Sequence, residues 1–354
     1  MAGTTFQTNP IDLNKLLEDC EAGIIQLPDF QRSWVWDEDR IKSLIASISR
    51  AFPVGALMSL DTGGPVNFKP RPVEGAPPGA KEIAPQSLLL DGQQRMTSLY
   101  QVTIREKVVE TETPKKKKVK RWFYIDIRKA LDPSVDREEA IVGVPEDRIV
   151  RSEFGRKVEM DLSTPELEYA ALMYPVSKVF DWDKWQDGFD RHWRGDQHES
   201  VRDEFRAFKR QVLENFKYYR VPVITLDRST SKEAVCVVFE KVNTGGKVLD
   251  AFELVTAMYA ASGHELRKDW YGDDQTPGRH RRFIDTLRPA DSTKGIIAEV
   301  GNTDFLQAIS LFYTRDLRRV AEAAGKQGKE LPAVSGNRQA LLNLPLGEYK
   351  KYEM

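Results

Sequence analysis

One segment constrains the fold of this chain more than any other: Ser87–Tyr100, reading SLLLDGQQRMTSLY. Its three consecutive leucines, Leu88–Leu90, predict a buried strand, because a run of apolar side chains covers both faces of a strand. Asp91-Gly92 interrupts that strand, and from Met96 to Thr103 the pattern becomes helical. A buried strand that turns directly into a helix requires a sheet with helices packed on it. Mixed strands and helices are therefore expected, and an all-helical bundle is excluded.

The rest of the chain reads in the same alternating way. Ile11–Asp19 is predicted as a short helix and Ile24–Leu27 as a short strand ended by Pro28. The loop PDFQRSWVWDEDR follows, and Asp37 is placed to cap the next helix. In that helix Ile41, Leu44, Ile45 and Ile48 form one apolar face. Ala56–Leu60 reads as a strand, and Gly63–Pro85, rich in Gly and Pro, as a surface loop. Trp122–Ile127 alternates as a strand does, so the basic run before it belongs to a hairpin tip or flexible loop. Asp132–Leu167 is irregular and polar, and Trp182–Tyr218 is helical. Val221–Leu226 is a strand whose Pro222 marks its start or a sheet edge. Ser231 caps a helix that ends at Asn243 and Gly245 in a left-handed cap. Asp250 and Glu253 have capping-box spacing for another helix, and helices joined by loops make up the remainder. The expected class is α+β: a mixed sheet with helices over residues 1–245, with polar insertions near 63–85 and 105–165, then a mainly helical region over 246–354.

Composition removes several function classes. A net charge of −1 means that nucleic acid would be met through local basic patches rather than bulk charge. Two cysteines, Cys20 and Cys236, exclude a disulfide scaffold and a four-cysteine zinc site; both read as core residues of a cytoplasmic protein. The N-terminus has no basic start with an apolar run, and no apolar stretch approaches membrane-spanning length. No P-loop, H-E-x-x-H, G-x-S-x-G, kinase or His-Asn-His pattern is present. The four histidines show no metal-ligand spacing.

Three constellations remain. In Asp91-Gly92-Gln93-Gln94-Arg95, Asp91 and Gln94 have capping-box spacing, and Gly92 permits close backbone approach. The amides at the helix start attract an anion, and the Arg95 guanidinium matches phosphate oxygens. The plain alternative is a capped helix with Arg95 in solvent. The second, Pro28–Trp36, offers Phe30, Gln31 and Arg32 to a ligand; alternatively its aromatic residues simply close the core. The third, Phe239–Gly246, is a helix end whose Asn243 and Thr244 either reach ligand oxygens or belong to an ordinary turn. Lys115, Lys116, Lys117 and Lys118, like Arg279–Arg282, are solvated charges or salt-sensitive contacts to a DNA backbone.

Together, in this order, the blocks LPDFQRSWVWDEDRIKSLIASISRAFPVGALMSL, LLLDGQQRMTSLYQV and VFEKVNTGGKVLDAFELVTA resemble the N-terminal domain of GmrSD-type, modification-dependent restriction proteins, which is distantly similar to the ParB and sulfiredoxin folds. The resemblance covers Leu27–Ala257. It implies an NTPase site, commonly for GTP with Mg2+, at Asp91, Gly92, Gln93, Gln94 and Arg95, with Asp91 toward the metal and Gln31 and Arg32 beside it. Asn243 and Thr244 join the nucleotide site, and Phe30, Gln31, Arg32 and Lys115–Lys118 face DNA. It further implies a phage-defence role in which modified double-stranded DNA, glucosylated or phosphorothioate-linked as in the SspE-like group, is sensed and a C-terminal or partner nuclease cuts. That nuclease is missing from these residues: the favoured expectation is that the chain is part of a longer protein, the alternatives being a nuclease on a partner subunit or a member that does not cut; a homo-oligomer is left open. Two other readings stand beside this one: a binding module without turnover, and a nuclease site within the domain, for which no histidine–carboxylate cluster speaks.

Overall fold

The computed structural model describes residues 6–34, 36–113, 115–242, 250–273, 275–287 and 300–352. They fall into two compact units, Met1–Asp61 with Pro70–Thr225, and Thr62–Lys69 with Leu226–Met354. Leu226–Val242, read from the sequence with the first region, thus lies in the second unit.

In the first unit the strands are β1 (Phe6–Asp12), β2 (Ile25–Pro28), β3 (Leu57–Asp61), β4 (Pro70–Arg71), β5 (Ser87–Asp91), β6 (Val109–Glu112), β7 (Lys118–Asp126), β8 (Ile141–Val144), β9 (Ile149–Ser152), β10 (Lys157–Asp161), β11 (Met173–Pro175) and β12 (Arg220–Leu226). Its helices are α1 (Leu13–Glu21), α2 (Glu38–Ser49), α3 (Gln93–Thr103), α4 (Ile127–Leu131), α5 (Pro165–Ala171), α6 (Asp183–His192), α7 (Glu199–Phe208) and α8 (Glu214–Lys217). Six strands form a mixed sheet in the order β1-β12-β3-β5-β2-β4. β5 runs parallel to β2 and antiparallel to β3. A second sheet is built on the long β7, which pairs with β6 through Lys118–Arg121 and with β8 through Trp122–Ile125; β11 also lies on β7.

The apolar spacing explains these elements. Ile41, Leu44, Ile45 and Ile48 are buried along α2, and Asp37 accepts from the Arg40 amide at its start, as the sequence predicts. α3 is enclosed from Met96 to Thr103 and packs on both α1 and α2. Two of its buried hydroxyls are satisfied within the helix, Ser98 donating to Gln94 O and Thr103 to Leu99 O, and that of Tyr100 donates to Gly75 O. Cys20 lies in this core, and burial pushes its thiol up to about 12. The side chain of Cys236 lies outside the described residues.

Three expectations are corrected. Ile11 and Asp12 belong to β1, not to the first helix. Of the two placements that Pro222 allows, the one near the strand's start is found, because β12 sits between β1 and β3 and not at an edge. Gly63–Pro85 is more than a surface loop: it carries β4, a 3-10 turn and the buried Val66, Phe68, Val73 and Ala80. Asp132–Leu167 contains β8, β9 and β10. These strands are only four or five residues long, too short for alternation to stand out.

The second unit is helical: α9 (Lys232–Val242), α10 (Ala251–Ala260), α11 (Leu266–Tyr271), α12 (Arg279–Leu287), α13 (Asn302–Ala323), α14 (Arg338–Leu342) and α15 (Leu346–Tyr352). Ser231 accepts from the Ala234 amide and Asp250 from the Glu253 amide, so both predicted caps form. No helix among the described residues is long and apolar enough to cross a membrane.

Candidate functional site

Sheet topology gathers three loops at one edge. Because β2 and β5 are parallel, the segments that follow them, Asp29–Trp36 and Asp91-Gly92, leave the sheet at the same end. Because β3 runs the other way, the segment that enters it, Phe52–Ala56, arrives there too. The carboxyl end of interior strands is where ligands settle in sheets with helical connections.

At the centre is the turn from β5 into α3. Gly92 is its left-handed residue, with φ +88°. A Cβ here would also lie 2.2 Å from Leu57 Cδ2, so only glycine lets the turn seat against β3. The capping box read at Asp91 does not form: Gly92 is the N-cap, and no side chain among the described residues caps the helix. Asp91 instead turns its carboxylate toward Arg95, 3.2 Å away. The first-turn amides of α3 are thereby left without a side-chain acceptor, at the positive end of the helix.

Glutamines bind the Asp29–Trp36 segment to this turn. Gln31 Nε2 donates to Leu89 O and Leu90 O at 3.1 and 2.9 Å. Gln93 Nε2 reaches Arg32 O at 3.3 Å and Gln94 Nε2 reaches Ser33 O at 3.2 Å. Trp34 Nε1 donates to Ser98 Oγ at 2.9 Å, and the partly buried Trp34 and Trp36 pack on the core. Two residues that sequence reasoning missed complete the clasp. Arg71 donates to Gln31 O, Arg32 O and Glu74 Oε1, and Glu74 Oε1 also accepts from the Trp34 amide. Nothing local marks Arg71 and Glu74, which lie in the Gly/Pro-rich stretch; only the fold brings them here. Gln31 Oε1, Gln93 Oε1 and Glu74 Oε2 are buried acceptors without a partner among the described residues.

The two arginines of the site do different things. Arg95 Nη1 donates to Val54 O at 2.6 Å, and Nη2 donates to Ala56 O at 2.9 Å and to Asp91 Oδ2. Its fork pins the Phe52–Ala56 segment to the turn, and Gly55 admits it, since a Cβ there would meet Nη1 at 2.6 Å. Tyr219 holds the same segment from the other side: its hydroxyl donates to Phe52 O and accepts from the Val54 amide. Burial raises that hydroxyl's pKa, which keeps it protonated. Arg32, by contrast, is exposed and makes no ion pair or side-chain hydrogen bond among the described residues.

Gln31, Arg32, Asp91, Gly92, Gln93, Gln94 and Arg95 thus come together, with the half-buried Phe30 beside them in sequence. Lys115–Lys118 do not join them; they are exposed at the β6–β7 hairpin, one of the two placements the sequence allows. Asn243 and Thr244 lie outside the described residues. No three His, Cys, Asp or Glu side chains among the described residues gather as a metal site.

A family model described as "GmrSD restriction endonuclease, N-terminal domain" matches residues 13–260, which takes in every loop of this site. The chain belongs to that family. The chain is also similar to the uncharacterized protein MJ0686 of Methanocaldococcus jannaschii, 26% identical over 268 residues. That match covers 73% of this chain but only 43% of the relative, so the chain spans less than half the length of the relative it matches.

Proposed function

We propose that this GmrSD-type domain binds a nucleoside triphosphate, preferentially GTP, at the β5–α3 turn and hydrolyses it as the sensor of a modification-dependent restriction protein. The observation that carries the reading is the left-handed start of α3, uncapped among the described residues, to which Gln93 ties the backbone of the exposed Arg32. First-turn amides that no described side chain caps, and an arginine with no ion pair among the described residues, are complementary to phosphate oxygens. In this reading Arg32 and the amides after Gly92 hold the phosphates. Arg95 keeps the surrounding walls in place and reaches phosphate only by giving up a backbone carbonyl. A Mg2+ ion would be shared between Asp91, phosphate oxygens and water, a donor set that suits this cation without a cluster of acids. Gln93 and Gln94 orient the attacking water, a positioning role of the kind phosphoryl transfer requires. The nucleotide state is then coupled to modified DNA met by Phe30, Gln31, Arg32 and Lys115–Lys118, and to a nuclease elsewhere in the protein. The fraction of its relative that the chain spans leaves room for such a domain.

The ion pair of Asp91 with Arg95 supports a second reading, binding without turnover, because it engages the carboxylate that would face the metal. Phosphate release from GTP, ATP and CTP with Mg2+, measured with and without modified DNA beside equilibrium nucleotide binding, separates the two. Wild type is expected to release phosphate. Arg32→Ala is expected to weaken nucleotide binding about 10- to 100-fold, the worth of one charged hydrogen bond, without changing thermal stability. Binding without release above the Arg32→Ala background selects the second reading. Equal nucleotide affinity of Arg32→Ala and wild type refutes the phosphate assignment.

A further inference from the structure

The Phe52–Ala56 segment has a second face. A pocket of about 610 Å³ opens there, lined by Ala51, Val54, Gly55, Arg210, Glu214 and Tyr218, among others. That volume lies within the range of roughly 300–1,000 Å³ typical of small-ligand sites. None of these residues belongs to the uncapped turn, although the segment is common to both.

Three observations bear on what this pocket takes. The first is charge. Arg210 lines it, Arg50 and Lys217 adjoin its lining residues Ala51 and Tyr218 in sequence, and none of the three makes an ion pair among the described residues. The second is exposed aromatic surface beside those cations. Tyr218 is 68% exposed and Phe52 53%. Arg50 stands 5.8 Å from the Phe52 ring centre, and Lys217 stands 5.8 Å from that of Tyr218. The third is backbone geometry. Arg210 lies in a π-helical turn, Lys209–Leu213, which leads directly into Glu214. Ala51, also in the lining, holds φ +55°, a left-handed conformation unfavourable for any residue with a Cβ. π-Turns and such backbone strain are concentrated at functional sites.

We infer that this pocket is a binding site for an unpaired nucleic-acid strand, with a base seated against Tyr218 and the flanking phosphates held by Arg50, Arg210 and Lys217. A π-face beside unpaired cations is the arrangement by which single strands are held without regard to sequence. Glu214, with no ion pair among the described residues, accepts from the amino groups of a seated base. A free acidic peptide would use the cations but not the rings, and an apolar peptide the reverse. The inference rests on the reading that this protein meets DNA, and it does not depend on nucleotide binding at the β5–α3 turn.

The test is fluorescence anisotropy of the full chain with a labelled twelve-nucleotide oligothymidylate across a salt series, run beside nucleotide binding. Tyr218→Ala is expected to weaken strand binding about 5- to 150-fold, the effect of losing one stacked base, and Tyr218→Phe to restore it. Arg210→Ala is expected to lower the slope of log affinity against log salt by about 0.7. Nucleotide affinity should be unchanged in all three variants, which separates a failure here from a failure at the turn. Strand binding that survives Tyr218→Ala but is lost when Lys115–Lys118 become alanine places the strand on the hairpin and overturns the inference. So does an absence of strand binding, and so does a Tyr218→Ala variant that loses nucleotide instead of strand.

Discussion

Replacing Gly92 with alanine tests the geometry of the turn quantitatively. Two costs are expected. The left-handed conformation at φ +88° costs a residue with a Cβ about 1–2 kcal/mol. The new methyl group, 2.2 Å from Leu57 Cδ2, must displace a side chain that is only 3% exposed, and overpacking of this kind costs about 1–3 kcal/mol. The sum is about 2–5 kcal/mol. Gly155 supplies the control: its φ is +91°, it belongs to the same unit, and a Cβ there would meet nothing within 4 Å. Gly155→Ala carries the conformational cost alone, about 1–2 kcal/mol. Urea unfolding followed by tryptophan fluorescence reads the difference, because six of the seven tryptophans lie in the first unit. Gly92→Ala should unfold about 1–3 kcal/mol earlier than Gly155→Ala, or about 2–12 °C lower in a thermal scan. If the two variants unfold within about 0.5 kcal/mol of each other, Leu57 yields freely and the close approach is not what requires glycine at position 92.

Two further perturbations address other parts of the first unit. Arg95→Lys keeps the charge, but an ammonium cannot span Val54 O and Ala56 O as the guanidinium fork does. The loss is expected to be about 1–2 kcal/mol, with faster hydrogen exchange at the amides of Val54–Leu57, and unchanged exchange there would contradict the pinning role. Glu168 is a buried carboxylate, held by Tyr124 Oη and Trp185 Nε1 at 2.8 and 3.0 Å, and burial raises its pKa above the ordinary value of 4.5. A raised folded value means that its contribution is fully present below pH 4.5 and is lost as pH rises through the folded value. Glu168→Gln, a mimic of the protonated form, should therefore gain stability relative to wild type between pH 4.5 and 7; melting curves whose separation is constant over that range would count against this assignment.

Local chemistry was legible in the sequence and long-range chemistry was not. The caps at Asp37 and Ser231, the N-cap half of the box at Asp250 and the apolar face of α2 depend on residues three or four apart, and these form as read. The turn at Gly92 was equally visible. What could not be seen was that Arg95 spends its fork on Val54 and Ala56, about forty positions away, leaving Arg32 as the unpaired cation. β1 escaped because FQTNPID is exposed at nearly every position and shows no alternation. Arg71 and Glu74 escaped because the Gly and Pro residues around them signal only a loop. The residues of the clasp are recognisable as a group only after β2 and β5 are known to run in parallel.

Thr62–Lys69 has a consequence for how this protein is made and dissected. These eight residues leave the first unit after β3, join the second, and return before β4, so the chain passes between the units three times. During synthesis they emerge long before Leu226–Met354, and the buried side chains of Val66 and Phe68 belong to a unit whose remaining residues do not yet exist. A cut after Thr225 leaves the fragments connected in purpose though not in covalent chain: the N-terminal piece keeps a stretch that belongs to its counterpart. Neither fragment is then a whole unit, and nicking at that point should yield pieces that stay together until denatured, whereas excision of the second unit as a gene fragment starting at Leu226 should yield a protein that folds poorly.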